Sequence, residues 1–315
     1  QNASTVLVDE SDLTHWWMQF EDPVLTNLIE QALNSNNDIV VAQGRLRSAR
    51  ASLASARGAR LPTAAFGADA VRQEFVKGGT GDTRNYSLNI DTAWEVDLFG
   101  KLRNTALAAN SDLKMSEVRL YDLHRIITAE VAFNYINLRD AQLRLNVAKA
   151  NLDIQRENLQ IAIWRNSAGN GSALEVEQAR TSVAQTRAGI PVLEQTVSIA
   201  IHQIDVLMGR SPGSSTALLM TPTPLLPTAP VAIDVTLPAA LLLRRPDVLS
   251  AQHSLAAEVI RIGVVQADLY PAIRLNGSLD TSSSTVAGLF DTSMASLIGG
   301  VTAPIFQGGQ IRARI

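Results

Sequence analysis

Cysteine is absent from all 315 residues of the chain. A disulfide framework and a zinc–thiolate site are therefore excluded, and cysteine pairing says nothing about the redox compartment. No run of about 18 consecutive apolar residues occurs, so we expect no transmembrane helix. The formal net charge of −3 also gives no indication of a nucleic-acid partner.

The two residues that interrupt helices most strongly, glycine and proline, are missing from residues 101–168. Apolar side chains recur there at spacings of three, four and seven, at Leu138, Ala141, Leu145, Ala148, Leu152 and Leu159. Such a stripe is typical of a helix that packs lengthwise on other helices. We therefore predict one continuous helix, roughly 100 Å long at about 1.5 Å per residue.

A turn and a second helix follow this stretch. Residues 166–171 form a glycine-containing polar turn, and Ser172 with Glu175 makes a capping box at the start of the next helix. That helix is predicted to run to residue 208, with apolar residues at heptad positions. It should fold back on the first helix as a coiled coil, with a kink at Pro191.

The clearest strand is predicted over residues 86–98. Its two sides differ in polarity: Tyr86, Leu88, Ile90, Thr92, Trp94, Val96 and Leu98 face one way, and Ser87, Asn89, Asp91, Ala93, Glu95 and Asp97 the other. At about 3.3 Å per residue it would be roughly 43 Å long, which suits a transmembrane barrel with lipid outside and water inside. An amphipathic hairpin on a soluble core is the alternative.

The flanking segments are less distinct. After an irregular lead-in over 1–22, a helix is predicted over 23–60 and a strand over 63–75, with an exposed loop over 72–84. The segment 209–238 holds six of the twelve prolines and is expected to be irregular.

The chain repeats itself with a constant offset of 209 residues. The matching pairs are 38–43 with 247–252, Leu61-Pro62 with Tyr270-Pro271, and 100–103 with 309–312. Because one offset holds over more than sixty residues, we infer an internal duplication. The second copy then predicts a helix over 239–268 and strands over 272–284 and 294–306.

Six segments occur in an order that is typical of one known family. They are Trp17–Pro23, Trp94–Lys101, Gly169–Ala179, Ile190–Glu194, Leu243–Val248 and Pro304–Gly309. In these segments the chain resembles the TolC family of outer membrane factors, most closely the OprM/NodT-type outer membrane lipoproteins of tripartite efflux pumps. The resemblance covers essentially the whole chain, and its specificity comes from the combination of the motifs with the duplication.

The resemblance implies an α+β membrane protein whose long coiled-coil helical hairpins form a periplasmic α-barrel. Four amphipathic strands from each of three chains would form a twelve-stranded outer-membrane β-barrel, since four strands alone cannot close a barrel in lipid. The expected divisions are the lead-in 1–22, a periplasmic helical domain (23–60, 101–208 and 239–268), outer-membrane hairpins (61–100 and 269–308), an equatorial segment 209–238, and the start of a second long helix over 309–315.

The implied function is a passive, trimeric exit duct for drugs or other small molecules, in the outer membrane with its helical body in the periplasm. Its implied partners are a periplasmic adaptor protein, an inner-membrane proton-driven pump and outer membrane lipid, with no nucleic acid and no cofactor. A duct for type I protein secretion and a non-transporting coiled-coil structural protein are the alternatives. No nucleophile–base arrangement occurs and the four histidines are scattered, so we expect neither an enzyme nor a metal site.

Three groups of residues are candidates for this function. The adaptor contact is expected at a turn that resembles the family's periplasmic tip, at Gly169, Ser172 and Leu174. The lumen-facing carboxylates of the predicted strand are Asp91, Glu95 and Asp97. Its lipid-facing side chains are Leu88, Ile90 and Trp94. The structural alternatives are a capped turn without a partner, and carboxylates that are solvated or lie in an interface.

Two departures from the family's pattern are expected to matter. No N-terminal lipidated cysteine is present, and the chain stops at Ile315, where a second long helix should begin. The family's gate aspartate and arginine groups would follow that position, so no gate residues are named. The offset predicts a longer polypeptide, and we expect the 315-residue chain to be a fragment that conducts nothing useful alone.

Overall fold

The computed structural model describes residues 15–74, 77–79, 81–221 and 245–315. The first part of the predicted lead-in, most of the predicted irregular segment and the start of the helix predicted over 239–268 lie outside the described residues. The chain divides into two compact units: a helical unit of residues 1–43 and 120–241, and a sheet unit of residues 44–119 and 242–315.

Helices make up most of the described chain. Their bounds are α1 Pro23–Ser35, α2 Asn37–Gly58, α3 Lys101–Ser167, α4 Ala173–Leu207, the short α5 Thr216–Leu219, α6 Pro246–Ala267 and α7 Gln310–Arg314. The strands are β1 Thr63–Glu74, β2 Asp82–Val96, β3 Ala272–Ser283 and β4 Ser293–Thr302. The 67 residues of α3 form one helix, as the absence of glycine and proline predicts. Helix α4 also continues through Pro191.

The helical unit has a closed apolar core between α1, α3 and α4. Its main side chains are Leu25, Leu28, Ile29, Val131, Tyr135, Leu138, Val197, Ile201 and Ile204. Each of them is at most 2% exposed. Trp17, from the 3₁₀ helix Trp16–Phe20, belongs to the same core. Burial of a large apolar side chain stabilises a fold by about 1.5–3 kcal/mol, so this core accounts for much of the unit's stability.

The prediction of one helix over 23–60 is wrong in one respect, because Asn36 divides this segment into α1 and α2. Asn36 has an extended backbone (φ −63°, ψ 129°) and is 3% exposed. Its Oδ1 accepts hydrogen bonds from the N–H groups of Asp38 (2.8 Å) and Ile39 (3.2 Å). Its Nδ2 donates to the Leu207 carbonyl at 2.8 Å. Asn36 therefore caps α2 and also ties α1 to the end of α4.

The sheet unit contains a four-stranded sheet in the order β1-β2-β3-β4, with every neighbouring pair antiparallel. Ile90 of β2 pairs with Phe66 of β1 and with Leu279 of β3, which defines the register. Strand β2 begins earlier than predicted and ends two residues before its predicted end, and β4 also ends early. The β1–β2 ladder takes up part of the loop predicted over 72–84, which is therefore shorter than predicted.

Helix α6 contacts the first part of α3 through polar groups. Lys101 Nζ lies 2.7 Å from a carboxylate oxygen of Asp268, the residue that follows α6. Arg261 forms an ion pair with Asp112 of α3. Gly263 faces Asn104 of α3, whose side-chain amide nitrogen would lie 2.9 Å from an added Cβ.

Among the described residues, α6 is also one helix that is long and apolar enough to cross a membrane, judged by length and composition alone. The sequence prediction used a different criterion, an unbroken run of about 18 apolar residues, and α6 contains the charged residues Asp247, Glu258 and Arg261. One of these charges, Arg261, forms an ion pair with Asp112 of α3.

Several element bounds recur 209 positions later in the chain. Helices α2 and α6, and strands β1 and β3, match at both ends with this offset, and α3 and α7 match at their first residue. The glycines before α3 and α7, Gly100 and Gly309, also share a positive φ, of 76° and 81°. The backbone therefore repeats with the same offset as the sequence pattern.

Candidate functional site

The sheet has one apolar face. Residues that pair across neighbouring strands share a face, and this one carries Phe66, Leu88, Ile90, Trp94, Leu279, Leu297 and Val301. The most exposed of them are Phe66 at 70% and Leu297 at 80%. The three side chains predicted to face lipid, in β2, thus lie together with apolar residues of the other three strands. Apolar surface in water costs about 25 cal/mol per Å², so this face requires an apolar environment.

The opposite face is polar and acidic. It carries Asp69, Asn89, Asp91, Glu95, Arg274, Ser278 and Asp280, together with the apolar Met294 and Ile298. Arg274 pairs with Glu95 at 3.2 Å, whereas the three aspartates have no cationic partner in the described part of the chain. Asn89 Nδ2 donates to Asp91, and Ser278 Oγ donates to Asp280 at 2.6 Å. The excess of carboxylates gives this face a field that attracts cations.

Asp97 does not belong to the acidic face, because β2 ends at Val96. Its carboxylate accepts hydrogen bonds from the N–H groups of Leu102 (3.1 Å) and Arg103 (2.7 Å) in the first turn of α3. The predicted place of Asp97 on the same strand face as Asp91 and Glu95 is therefore wrong. A carboxylate in this position satisfies N–H groups that have no partner within the helix and interacts favourably with the helix dipole.

Aromatic side chains mark the ends of the apolar face of β2. Tyr86 lies near one end and Trp94 near the other, about 26 Å apart at about 3.3 Å per residue. The Trp94 indole N–H donates to the Arg60 carbonyl at 3.1 Å, and beyond the sheet Phe99 and Tyr270 stack with centroids 4.7 Å apart. The sequence does not indicate these roles of Arg60 and Tyr270, because a carbonyl partner and a ring stack arise only in the folded chain.

The turn between α3 and α4 is short and capped on both sides. Gly169 has a φ of 76°. Its N–H and that of Asn170 donate to carbonyls in the last turn of α3, at 2.9 and 2.8 Å, which is a Schellman motif. Ser172 Oγ accepts a hydrogen bond from the Glu175 N–H at 3.2 Å and caps α4, as the capping box predicts.

The predicted adaptor residues Gly169, Ser172 and Leu174 lie together in this turn and the start of α4. Ser172 already caps the helix, whereas Leu174 is 67% exposed and offers apolar surface. Trp164, near the end of α3, is 64% exposed and was missed in the sequence analysis. The sequence signal for Trp164 is its position as a lone aromatic residue beside the predicted turn.

A buried polar network in the helical unit explains the strongest pKa shift. The Tyr135 hydroxyl donates to Asp22 Oδ2 at 2.6 Å, and Asp22 Oδ1 accepts from the N–H groups of Val24 and Leu25. Burial and the hydrogen bond to Asp22 raise the pKa of Tyr135 to about 12. The Arg139 guanidinium lies 4.9 Å from the centre of the tyrosine ring. The network fastens the start of α1 to α3.

Across the described residues, no group of three or more potential ligand side chains could hold a metal ion.

Comparison with known proteins gives a consistent result. A family model described as outer membrane efflux protein matches residues 28–210 and 237–315. The pyoverdine export outer membrane protein OpmQ of Pseudomonas aeruginosa is 30% identical, over 97% of this chain and 66% of its own length. The solvent efflux pump outer membrane protein SrpC of Pseudomonas putida is 31% identical, over 94% of this chain and 64% of its own length. The chain spans slightly less than two thirds of these two relatives.

The backbone also resembles solved outer-membrane channels. The outer-membrane channel OprN matches with a TM-score of 0.83 and 34% identity, over 95% of this chain and 68% of that chain. CusC matches with a TM-score of 0.77 and 27% identity, over 92% of this chain and 67% of that chain. The family model matches most of the chain, and the chain belongs to the outer membrane efflux protein family.

Proposed function

We propose that this chain contributes one subunit to the outer membrane channel of a tripartite efflux pump, a passive exit duct for small molecules. The observation that carries the proposal is the two-faced sheet. Its apolar face is stable against lipid, and its acidic face is then free to line a water-filled lumen. The aromatic residues Tyr86 and Trp94, about 26 Å apart, would lie at the two borders of an apolar band about 25 Å tall.

Closure of the sheet supports a trimer. In the described chain, β1 and β4 each have one edge without a partner strand. Unpaired backbone groups in lipid cost on the order of several kcal/mol each, so strands of further copies must cover these edges. Three copies would give an even-numbered, twelve-stranded barrel. An internal duplication, with the hairpins β1–β2 and β3–β4 as its two copies, accounts for the symmetry of such a sheet.

The helices would continue the duct through the periplasm, towards an adaptor and a proton-driven inner-membrane pump. Helix α3 alone has 67 residues, which is roughly 100 Å. We place the adaptor contact at Gly169, Ser172 and Leu174, where Leu174 supplies the exposed apolar surface. The names of the relatives speak of pyoverdine export and solvent efflux, which favours small molecules over secreted proteins as cargo.

The absence of native cysteine allows the facing of the sheet to be tested at single positions. In isolated outer membranes, an Asp91→Cys protein should react with a water-soluble, membrane-impermeant maleimide. The adjacent Ile90→Cys protein should be protected, because the two side chains lie on opposite faces. Cross-linking should also yield a species with three times the 33.9 kDa mass of one chain. Equal labelling at both positions would contradict the proposal.

A further inference from the structure

The turn between α3 and α4 contains a reactive sequence that the proposed duct does not use, Asn170-Gly171. The chain has one other asparagine followed by glycine, Asn276-Gly277 in β3. We propose that Asn170 is a site of spontaneous covalent modification, at which the side-chain amide becomes aspartate or isoaspartate while Asn276 stays intact. Both asparagine side chains are exposed, so the two sites differ mainly in their backbone environment.

The reaction needs only groups of the chain and water. The backbone nitrogen of Gly171 attacks the side-chain carbonyl carbon of Asn170, so that a C–N bond forms and the bond to the amide nitrogen breaks. Ammonia leaves and takes the proton of the Gly171 amide, and a five-membered succinimide ring remains. Water then adds to one of the two ring carbonyls and breaks its bond to nitrogen. Opening at the side-chain carbonyl gives aspartate, and opening at the main-chain carbonyl gives isoaspartate.

The turn leaves the attacking nitrogen free. The Schellman bonds engage the N–H groups of Gly169 and Asn170, and among the described residues no hydrogen bond engages the N–H of Gly171. Gly171 also lacks a Cβ that would hinder the approach of its nitrogen to the side chain. Asn170 lies beyond the last residue of α3, so the Asn170–Gly171 peptide bond is outside the regular hydrogen-bond pattern of that helix.

The second pair lies in a constrained backbone. Gly277 belongs to β3, which lies between β2 and β4, and it pairs with Thr92 and Leu297. The backbone N–H groups of an interior strand bond across the ladder, so ring closure at Asn276 requires local opening of the sheet. Each 1.4 kcal/mol of opening free energy slows the reaction about tenfold. We therefore expect modification at Asn170 to be at least about tenfold faster than at Asn276.

Modification would change the turn in charge and in length. Either product adds a carboxylate two residues before the cap residue Ser172, and isoaspartate also adds a methylene group to the main chain. The structural consequence is a loosened cap at the start of α4. A further consequence, which rests on the proposed function, is that aged protein would present an altered surface to the adaptor.

The test is an incubation of the purified chain in neutral and in mildly alkaline buffer, followed by digestion and mass spectrometry of the two asparagine-containing peptides. The Asn170 peptide should gain the mass of an amide-to-acid conversion at least about tenfold faster than the Asn276 peptide. Alkaline buffer should accelerate the gain, since the attacking nitrogen must lose a proton. An Asn170→Gln variant should remain unmodified there, because its longer side chain closes a less favourable six-membered ring. No gain at Asn170, or equal rates at both sites, would overturn the proposal.

The effect on the turn is measured without any partner, by hydrogen exchange at the Glu175 N–H that Ser172 holds. Exchange should be faster in the isoaspartate fraction and unchanged in an Asn170→Asp variant, which adds the charge without the methylene group. Equal exchange in all three proteins would refute the loosened cap. Neither readout involves the adaptor. Failure of fresh protein to cross-link to an adaptor would therefore count against the proposed function alone.

Discussion

The two units of the molecule satisfy their apolar side chains in opposite ways. In the helical unit, Leu28, Tyr135 and Ile204 are at most 1% exposed, and their packing partners come from the same chain. In the sheet unit, Phe66 and Leu297 are 70% and 80% exposed on a face that the register defines. The stability of the helical unit is therefore a property of the chain itself. In the proposed barrel, the stability of the sheet would depend on lipid and on strands of further copies.

Within the helical unit, helix α3 has both a buried and an exposed stripe of apolar side chains. One stripe with a seven-residue spacing is buried, at Leu138, Leu145 and Leu152, with exposures of 0, 7 and 6%. A second stripe with the same spacing is exposed, at Val147, Ile154 and Ile161, with exposures of 53, 56 and 49%. A heptad stripe is typical of helix–helix contact. The exposed stripe therefore fits the ring of helices from several copies that the proposed duct requires.

The largest expected effect is in the closed core. Leu138→Ala should cost about 2–5 kcal/mol of unfolding free energy, because it leaves a cavity among side chains that cannot collapse fully. Leu143→Ala removes the same atoms from the same helix at a site that is 47% exposed, and should change stability by about 0.5 kcal/mol or less. Chemical denaturation followed by circular dichroism checks both variants. Similar losses of unfolding free energy in the two variants would mean that the buried core does not determine the stability of the helical unit.

The sheet should respond to its environment instead. Ile90→Arg should cost about 2–4 kcal/mol near the bilayer midplane, because it places a charge on the proposed lipid face. Folding into lipid vesicles, followed by gel mobility and denaturation, measures the loss. Leu138→Ala should lower the free energy of unfolding equally in detergent and in vesicles. The comparison therefore distinguishes the closed core of the helical unit from the sheet, which should respond to lipid. Normal assembly of Ile90→Arg together with failed assembly of Asp91→Asn would show that the facing is backwards.

The regular elements were predictable because their periods are properties of short stretches of sequence. Helix α3 followed from missing glycine and proline, and the two faces of β2 followed from alternation. The alternation also continued through Asp97 and Leu98, although pairing ends at Val96. The sequence therefore could not distinguish a strand residue from a helix cap, since a carboxylate suits both positions.

The features that escaped prediction depend on contacts between distant segments. Asn36 interrupts a stretch with good helical spacing because its amide group reaches the carbonyl of Leu207, 171 residues away. The partner of the Trp94 indole is a carbonyl of Arg60, and carbonyl positions are not visible in a sequence. The adaptor assignment is of another kind, because it rests on family resemblance and stays a prediction.

The buried network of the helical unit offers a smaller test. Tyr135→Phe removes the hydrogen bond to Asp22 and should cost about 1.5–3 kcal/mol, as expected for a bond to a charged group. The cost should appear in denaturation of the isolated protein. Tyr121→Phe, at a residue that is 59% exposed on the same helix, is the matched control and should have almost no effect.

The pH dependence of this network has a defined sign. The pKa of Tyr135 is about 12 in the folded protein, above the ordinary value of 10.0, so the unfolded state releases the proton first. The stabilisation is therefore complete below pH 10 and is lost as the pH rises through 12. Tyr135→Phe should flatten this part of the stability profile. An unchanged slope in the variant would assign the alkaline loss to other groups.

Removal of the helix cap at the turn should have a still smaller effect on stability, confined to the start of α4. Ser172→Ala removes the acceptor of the Glu175 N–H and should destabilise the first turn of α4 by about 1 kcal/mol, which corresponds to roughly fivefold faster exchange at that amide. Hydrogen exchange measures it directly. Ser182→Ala, within the same helix, should leave the exchange at Glu175 unchanged. If both variants accelerate exchange equally, fraying of α4 rather than loss of the cap is the cause.

The smallest stability effect is expected at Asp91, although its effect on transport should be clear. Asp91→Asn keeps the shape of an exposed side chain on the acidic face and should change stability by about 0.5 kcal/mol or less. It removes one charge per copy from the proposed lumen, so the cation preference of conducting trimers of the expected longer polypeptide should fall. Arg274→Gln removes the only cation of the described part of that face and should raise the preference. Reversal potentials in asymmetric salt measure both shifts. Both should shrink at molar salt, where the Debye length is about 3 Å, because an exposed charge then no longer acts across the lumen.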